Sequence, residues 1–239
     1  MIKQAVILAA GKGTRMKELA VNEPKHVVSV AQRPFLFYLF ENLSLAGIEK
    51  IIAVVGYQKE AAIKKIKGWH GQVDIIDQYE FVPAEKYGTL CPVLAAQQSV
   101  GKDAFLVING DNLYSADDLR NLAADADFNY ASGQVHDHPE KYGVLIKNEN
   151  SLLERIIEKP KEYVGNLINS GLYAFTPEIF KAAESVSLSP RGEYELTDAV
   201  TNLAKAGRVK IKILKDYWLD LTKPEDVKVV EEFIKKNKI

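Results

Sequence analysis

The chain has 239 residues and a mass of 26.7 kDa, which is enough to bury a sizeable core in a single domain. Its net charge of −1 and pI near 6.5 provide no global field that would attract nucleic acid or an anionic membrane, so neither partner is expected. Cys91 is the only cysteine, which excludes an internal disulfide framework and a cysteine-based zinc site. No apolar run approaches the ~20 residues of a membrane span, and the N-terminal apolar run is too short for a signal peptide, so a cytoplasmic location is expected.

In the first half of the chain, short apolar runs alternate with segments of helical periodicity. Such alternation is typical of an α/β fold with a mostly parallel sheet covered by helices on both faces. Helices are predicted from Pro34 to Gly47 and over roughly 58–67 and 90–99. Strands are predicted near residues 4–9, 51–55, 73–77 and 104–109.

From about residue 129 the strands become shorter and more closely spaced, which indicates an insert laid over the core. Strands are predicted near 130–135, 143–147, 152–158, 168–175 and 209–214, and helices near 177–184 and 195–206. Thr222 and Glu225 have the spacing of a capping box that would open the last helix. We expect one domain over 1–239, made of a core at 1–128, an insert at 129–208 and a closing strand and helix at 209–239.

The first predicted strand runs directly into a loop that is both glycine-bearing and cationic. Gly11 and Gly13 allow the backbone to approach a ligand closely, and Arg15 and Lys25 supply positive charge beside them. This loop therefore predicts a phosphate site. The dinucleotide motif G-x-G-x-x-G is excluded because position 16 is Met16, and the Walker pattern occurs nowhere in the chain.

The stretch from Leu8 to Met16, followed by the dipeptide Pro24-Lys25, matches the pattern L-A-[AG]-G-x-G-T-R-[LM] with P-K about ten residues on. On these residues the chain resembles the sugar nucleotidyltransferases. The resemblance implies a Rossmann-like three-layer α/β/α fold with a sugar-binding insert. It also implies transfer of a nucleotidyl group, from UTP or dTTP, to a hexose 1-phosphate, with release of pyrophosphate.

Two acidic residues match the places where this family holds Mg²⁺. Asp111 follows the predicted strand at 104–109, at the sheet edge where ligands of α/β proteins bind, and Ser115 is available as the next helix cap. Asp220 lies in a segment similar to the family's W-x-D-x-G-T, although Thr222 replaces the glycine of that pattern. One or two carboxylates are enough for Mg²⁺, which takes its other ligands from phosphate and water.

The remaining segments that match the family imply contacts with the two substrates. The nucleoside triphosphate would contact Leu8, Ala10, Gly11, Gly13, Thr14, Arg15, Lys25, Gln78, Gly88, Thr89 and Asp111. The sugar 1-phosphate would contact Asn112, Tyr142, Gly143, Glu158, Lys159 and Asn169. The catalytic residues would be Arg15, Lys25, Asp111, Lys159 and Asp220. The segment from Gly192 to Asp198 is interpreted as structural support.

Two other functions remain open at this point. A cytidylyltransferase for phosphocholine or inositol phosphate uses a similar front loop, and a catalytically silent regulatory subunit could keep this fold to sense nucleotides. Homo-oligomer formation is also left open. His136 and His138 are weak metal candidates, because the sequence offers no third ligand beside them.

Overall fold

The computed structural model of the protein describes residues 1–20, 23–237 and 239. Its strands are β1 Gln4–Ala9, β2 Ser29–Val30, β3 Arg33–Pro34, β4 Lys50–Val55, β5 Asp74–Asp77, β6 Phe105–Asn109, β7 Asn112–Tyr114, β8 Asn129–Val135, β9 Gly143–Lys147, β10 Leu153–Glu158, β11 Leu167–Phe175, β12 Val209–Ile213 and β13 Trp218–Asp220. Its α-helices are α1 Phe35–Leu45, α2 Lys59–Ile66, α3 Leu90–Ala95, α4 Gln97–Val100, α5 Ala116–Ala123, α6 Glu178–Ala183, α7 Leu196–Lys205 and α8 Pro224–Asn237. Short 3₁₀ helices cover Thr14–Ala20, Lys25–Val27, Gln78–Glu80 and Pro139–Lys141.

A nine-stranded sheet organises the molecule, with the strand order β10-β9-β11-β6-β1-β4-β5 and with β8 pairing β11 and β12. Strands β1, β4, β5 and β6 are parallel to one another, whereas β11 runs antiparallel to β6, β8 and β9. The predicted α/β class with a parallel sheet in the first half is confirmed. The predicted division of the chain at residues 128 and 208 stays a prediction.

The central strand β1 is buried on both faces, which explains its continuous apolar run. Ala5 and Ile7 face one hydrophobic cluster, and Val6 and Leu8 face the other, because successive side chains of a strand point to opposite sides. Helix α1 contributes Phe35 and other buried side chains to the first cluster. The sheet is therefore the middle layer between two helical layers, as predicted.

A short pair of strands was missed by the sequence analysis. Strands β7 and β13 pair antiparallel, with Asn112 opposite Asp220 and Tyr114 opposite Trp218. Three residues are too few to show an alternating pattern, so neither segment could be recognised as a strand. This pairing places the residues directly after Asp111 beside the residues shortly before Thr222.

The start of helix α8 differs from the predicted capping box. The carboxylate of Asp226 accepts hydrogen bonds from the backbone N–H of Thr222 at 2.9 Å and of Lys223 at 2.8 Å. The predicted residues Thr222 and Glu225 therefore do not form the box. The back-bonding acid lies one residue later, because the helix begins at Pro224 and Asp226 is its third residue.

Candidate active site

Two adjoining cavities open at the carboxyl ends of β1 and β6. The front cavity, of about 480 Å³, lies against the loop that contains Gly11 and Gly13. The rear cavity, of about 180 Å³, is lined in part by Tyr142 and Trp218. The two cavities meet at seven shared residues, which are Arg15, Thr89, Asn109, Asp111, Lys159, Arg191 and Thr222.

The residues singled out in the sequence divide between these cavities. The front cavity is lined by all of the residues expected to contact the nucleotide, namely Leu8, Ala10, Gly11, Gly13, Thr14, Arg15, Lys25, Gln78, Gly88, Thr89 and Asp111. The rear cavity is lined by all of those expected to contact the sugar phosphate, namely Asn112, Tyr142, Gly143, Glu158, Lys159 and Asn169, and also by Asp220. Their individual roles stay predictions.

The front loop is held against Lys25. Gly13 adopts a positive φ of +60°, and a β-carbon there would lie 3.2 Å from the side chain of Lys25. The carbonyl of Gly13 accepts a hydrogen bond from the backbone N–H of Met16 at 2.9 Å, which starts the 3₁₀ turn carrying Arg15. Glycine thus allows the loop to turn tightly over the lysine stem.

Lys25 donates a hydrogen bond from Nζ to Oδ2 of Asp111. Burial of Asp111 is the largest single influence and acts to raise the pKa of its carboxyl group. Attraction to Lys25 and His26, together with the hydrogen bonds from Lys25 and from the backbone, outweighs burial and holds that pKa below its usual range. Asp111 is therefore charged at neutral pH. Its backbone carbonyl also accepts a hydrogen bond from the N–H of Leu221 at 2.8 Å, which ties the two acidic segments together.

Asp220 is the second carboxylate of the site. Burial, together with repulsion from Asp111, raises the pKa of Asp220 to about 6. Its Oδ1 accepts hydrogen bonds from Thr222 Oγ1 at 2.5 Å and from Asn112 Nδ2 at 3.0 Å. Two partly buried carboxylates that repel each other and line one cavity are a suitable donor set for Mg²⁺, which prefers oxygen ligands and needs only one or two from protein.

Lys159 is presented to both cavities by an unusual backbone conformation. It has a positive φ of +44°, which is rare for a residue with a side chain, and its N–H bonds to the carbonyl of Tyr142 at 2.9 Å. Strained backbone of this kind is typical of functional sites. Nearby, Asn169 Nδ2 donates to the hydroxyl of Tyr173 at 2.5 Å, so its amide has a fixed position.

Arg191 is a cation at the junction of the cavities that the sequence analysis missed. Its guanidinium lies 3.1 Å from Glu195, 3.2 Å from Glu193 and 3.8 Å from Glu158. It lies in a loop outside the helices and strands. The only feature of the sequence that could have indicated a role for Arg191 was its position directly before the motif that begins at Gly192.

The segment after Gly192 is hydrogen-bonded to the wall of the front cavity, and its structural role stays a prediction. The N–H of Leu90 donates to the carbonyl of Tyr194 at 3.0 Å, and the N–H of Leu196 donates to the hydroxyl of Thr89 at 2.9 Å. Gly88 allows this close approach, because a β-carbon there would lie 2.2 Å from the Tyr194 carbonyl oxygen. Two parts of the chain that are distant in sequence thus form one wall.

Gln78 forms another part of the front cavity wall. It is buried directly after β5, where it begins a short 3₁₀ turn, and is only 4 % exposed. The opening is bordered by Lys12, whose ammonium lies 5.1 Å from the ring centre of Tyr87. A carboxamide can pair with a carbonyl and an N–H at once, which suits a pyrimidine base.

His136 and His138 contact each other rather than a larger cluster of metal-binding side chains among the described residues. The Nδ1 of His136 accepts a hydrogen bond from the backbone N–H of His138 at 2.9 Å. Within residues 1–20, 23–237 and 239, no group of three or more His, Cys, Asp or Glu side chains is arranged to hold a metal ion. The ring of His136 instead packs 5.0 Å from that of Tyr142, at the rim of the rear cavity.

A family model described as nucleotidyl transferase matches residues 4–237. The chain belongs to the nucleotidyl transferase family. The predicted family and the predicted enzyme class are thus confirmed.

This nucleotidyl transferase has curated relatives in archaea. It is 37% identical over 235 residues to the UTP–glucose-1-phosphate uridylyltransferase AglF of Haloferax volcanii, with 93% of each chain covered. It is 38% identical over 234 residues to the bifunctional protein GlmU of Methanococcus aeolicus, covering 98% of this chain and 54% of that protein. The chain therefore spans about half the length of the bifunctional relatives.

Solved structures share the fold of this nucleotidyl transferase. A UDP-glucose pyrophosphorylase complexed with UDP-glucose superposes with a TM-score of 0.81 at 23% identity, covering 99% of this chain and 100% of that one. The apo form of a UDP-glucose pyrophosphorylase gives a TM-score of 0.83 at 21% identity, with full coverage of both chains (100% each). The predicted Rossmann-like fold is confirmed. No helix among the described residues has the length and hydropathy to cross a bilayer, and the cytoplasmic location stays a prediction.

Proposed function

We propose that the protein transfers a uridylyl group from UTP to glucose 1-phosphate, forming UDP-glucose and pyrophosphate. The observation that carries this proposal is the junction of the two cavities, where the cations Arg15, Lys159 and Arg191 meet the carboxylate of Asp111. Two phosphorylated substrates that react with each other need such a shared, cationic boundary.

The choice of UTP and glucose 1-phosphate is supported by the relative AglF, whose name specifies both substrates. The buried amide of Gln78 suits the carbonyl and N–H edge of uracil, an edge that thymine shares. The polar wall of the rear cavity, with Asn112, Glu158 and Asn169, suits the hydroxyl groups of a hexose. A thymidylyl donor therefore remains one outcome of the test below.

The reaction that we propose needs no general base. An oxygen of the sugar phosphate, already anionic, attacks the α-phosphorus of UTP; the new P–O bond forms as the bond to the β-phosphate oxygen breaks, and pyrophosphate leaves. Lys159 would hold the incoming phosphate, and Arg15 and Lys25 would hold the triphosphate oxygens. Mg²⁺, held by Asp111 and Asp220, would supply further neutralisation of phosphate charge.

Arg191 joins this set as a proposed phosphate-binding residue. Three glutamates surround its guanidinium, which fixes its position at the junction while leaving donors of the five-donor fork for a ligand. A fixed cation costs no reorganisation when negative charge develops on the transferred phosphate. Its place between the cavities therefore suits the α-phosphate of UTP, which is transferred from one substrate to the other.

The experiment is a measurement of pyrophosphate release with Mg²⁺ across UTP, dTTP, CTP and ATP, each paired with glucose 1-phosphate, other hexose 1-phosphates or phosphocholine. We expect the highest rate with UTP and glucose 1-phosphate. The highest rate with CTP and phosphocholine would favour the cytidylyltransferase, and no release with any pair would favour a nucleotide-sensing protein. Either result would refute the proposal, and a highest rate with dTTP would replace uridylyl transfer by thymidylyl transfer.

Two variants test whether the junction carboxylate Asp111 and its front-cavity partner Lys25 are responsible for the activity. Lys25→Ala and Asp111→Asn are each expected to reduce the rate by two or more orders of magnitude, since such charged contacts contribute roughly 3–4 kcal/mol. Lys3→Ala is the matched control, because it removes an ion pair with Glu49 of 2.7 Å and neither residue lines the front or the rear cavity. Near-normal rates in the first two variants would refute the assignment.

A further inference from the structure

Thr222 occupies a position where the matched family pattern W-x-D-x-G-T has glycine. Glycine has no side chain, whereas threonine brings a hydroxyl group to a place that borders both cavities. The pattern therefore assigns no role to this hydroxyl, and the contacts of Thr222 in this chain must show what it does.

The hydroxyl of Thr222 is bonded to the carboxylate of Asp220. Thr222 Oγ1 donates to Oδ1 of Asp220 at 2.5 Å, and Asn112 Nδ2 donates to the same oxygen at 3.0 Å. Among the described residues no donor reaches Oδ2 of Asp220. Two donors on one oxygen fix the plane of the carboxylate and leave the lone pairs of the other oxygen for a cation.

Thr222 is itself held in place by the first turn of α8. Its backbone N–H donates to Oδ2 of Asp226 at 2.9 Å, and the next N–H, of Lys223, donates to the same atom at 2.8 Å. The threonine backbone is thus fixed before any ligand binds. Little conformational entropy is then lost when the hydroxyl orients Asp220.

A cap on helix α8 is the ordinary alternative role for a threonine at this position. The hydrogen bonds do not fit that role, because Asp226 caps the helix start and the hydroxyl of Thr222 points its proton to Asp220. The backbone N–H of Thr222 therefore takes part in the cap of α8, whereas its side-chain hydroxyl bonds to the carboxylate of Asp220.

We infer that Thr222 is a positioning residue that orients Asp220 for a divalent cation. The inference rests on the proposed function, in which Asp111 and Asp220 hold Mg²⁺. Hydrogen-bond partners of metal-binding groups set the direction of their lone pairs, and their loss typically weakens metal binding by about 10- to 100-fold. In this chain the threonine hydroxyl supplies a partner that glycine cannot.

The test is a titration with Mn²⁺ alone, in which electron paramagnetic resonance reports the free ion. Thr222→Val removes the hydroxyl and keeps the branched shape, whereas Thr222→Ser keeps the hydroxyl. The matched control is Thr201→Val, because the hydroxyl of Thr201 accepts a bond from the N–H of Ile156 at 3.2 Å and borders neither cavity. We expect Thr222→Val to weaken Mn²⁺ binding about tenfold or more, with the serine and control variants within about threefold of wild type.

The outcomes separate this inference from the proposed function. If wild type binds Mn²⁺ and Thr222→Val binds it equally well, or if serine fails to rescue, the inference is overturned while pyrophosphate release still supports the function. If wild type releases pyrophosphate but binds no Mn²⁺, the inference is likewise overturned. If wild type does neither, the proposed function fails together with the inference.

Discussion

His26 should make the protein less stable in acid, by an amount that can be worked out from its surroundings. The side chain is only 2 % exposed and packs between two glycine turns; a β-carbon on Gly110 would lie 3.0 Å from its Cδ2. Its Nδ1 has no hydrogen-bond partner among the described residues. Burial, reinforced by the charge of Lys25, lowers the pKa of His26 from 6.5 to about 3.

The sign of the effect follows from the two states. Because the pKa is lower in the folded protein than in the unfolded chain, the unfolded chain binds a proton first as the pH falls below 6.5. The contribution of His26 to stability is therefore intact above that pH and is lost below it. Each pH unit below 6.5 lowers the free energy of unfolding by up to ~1.4 kcal/mol. Between pH 7 and pH 4.5 the total loss is therefore about 3 kcal/mol.

Asp220 has the opposite dependence and provides the matched comparison. Its pKa is raised to about 6 in the folded protein, so its contribution to stability is greatest below the unfolded pKa and falls as the pH rises through 6. This offsets part of the His26 effect in wild type, by about 2 kcal/mol over the same interval. The net loss expected from these two groups in wild type between pH 7 and pH 4.5 is therefore only about 1 kcal/mol.

Urea denaturation of the metal-free protein at pH 7 and pH 4.5 measures how His26 and Asp220 each change the free energy of unfolding with pH. We expect the stability lost between these pH values to be about 3 kcal/mol smaller in His26→Leu than in wild type, and about 2 kcal/mol larger in Asp220→Asn. The comparison uses differences between two pH values, so a constant packing cost of either variant cancels. Equal pH dependence in wild type and His26→Leu would refute the reasoning.

Three further predictions concern the site and its supports. Gly88→Ala should cost more than ~2 kcal/mol in thermal unfolding, because its β-carbon would lie 2.2 Å from a carbonyl oxygen. At Gly101 no atom of the described residues lies within 4 Å of such a β-carbon, so the same change should cost about half as much or less, and equal costs would contradict this. Asp226→Ala should lower stability by ~1 kcal/mol through the lost cap of α8, and an unchanged melting temperature would argue against that cap. Lys159→Ala should raise KM for glucose 1-phosphate at least about tenfold and change KM for UTP less, as measured by steady-state kinetics; a larger effect on UTP would place the lysine on the other substrate.

The parallel core could be predicted from the sequence because its strands are buried on both faces. Strand β6 supplies Phe105 and Val107 to one cluster and Leu106 and Ile108 to the other, so every position had to be apolar. Such runs are visible without any knowledge of pairing. The site residues were visible for a related reason, since Asp111 and the front loop directly follow such runs at the sheet edge.

The features that could not be predicted depend on contacts between distant segments. Arg191 lies in a loop, and only the folded chain brings it near Glu158 and both cavities. The positive φ of Lys159 is likewise imposed by its surroundings, since the sequence around it favours no left-handed backbone. The cap at Asp226 was assigned to Glu225 because the start of α8 was placed one residue early.

The placement of the two carboxylates depends on residues outside the cavities. Strand β7 directly follows Asp111, and strand β13 ends at Asp220. Each strand has three residues and is too short to be stable alone. Asn42 of helix α1 stabilises them by donating to the carbonyl of Tyr114 at 2.7 Å and to the hydroxyl of Tyr217 at 2.8 Å. The buried hydroxyl of Tyr114 donates in turn to the carbonyl of Ser170 at 2.6 Å. The separation of the carboxylates is therefore set by a polar network within the core, so that loss of the Asn42 amide would disturb the site through the β7–β13 pair without removing a group from either cavity.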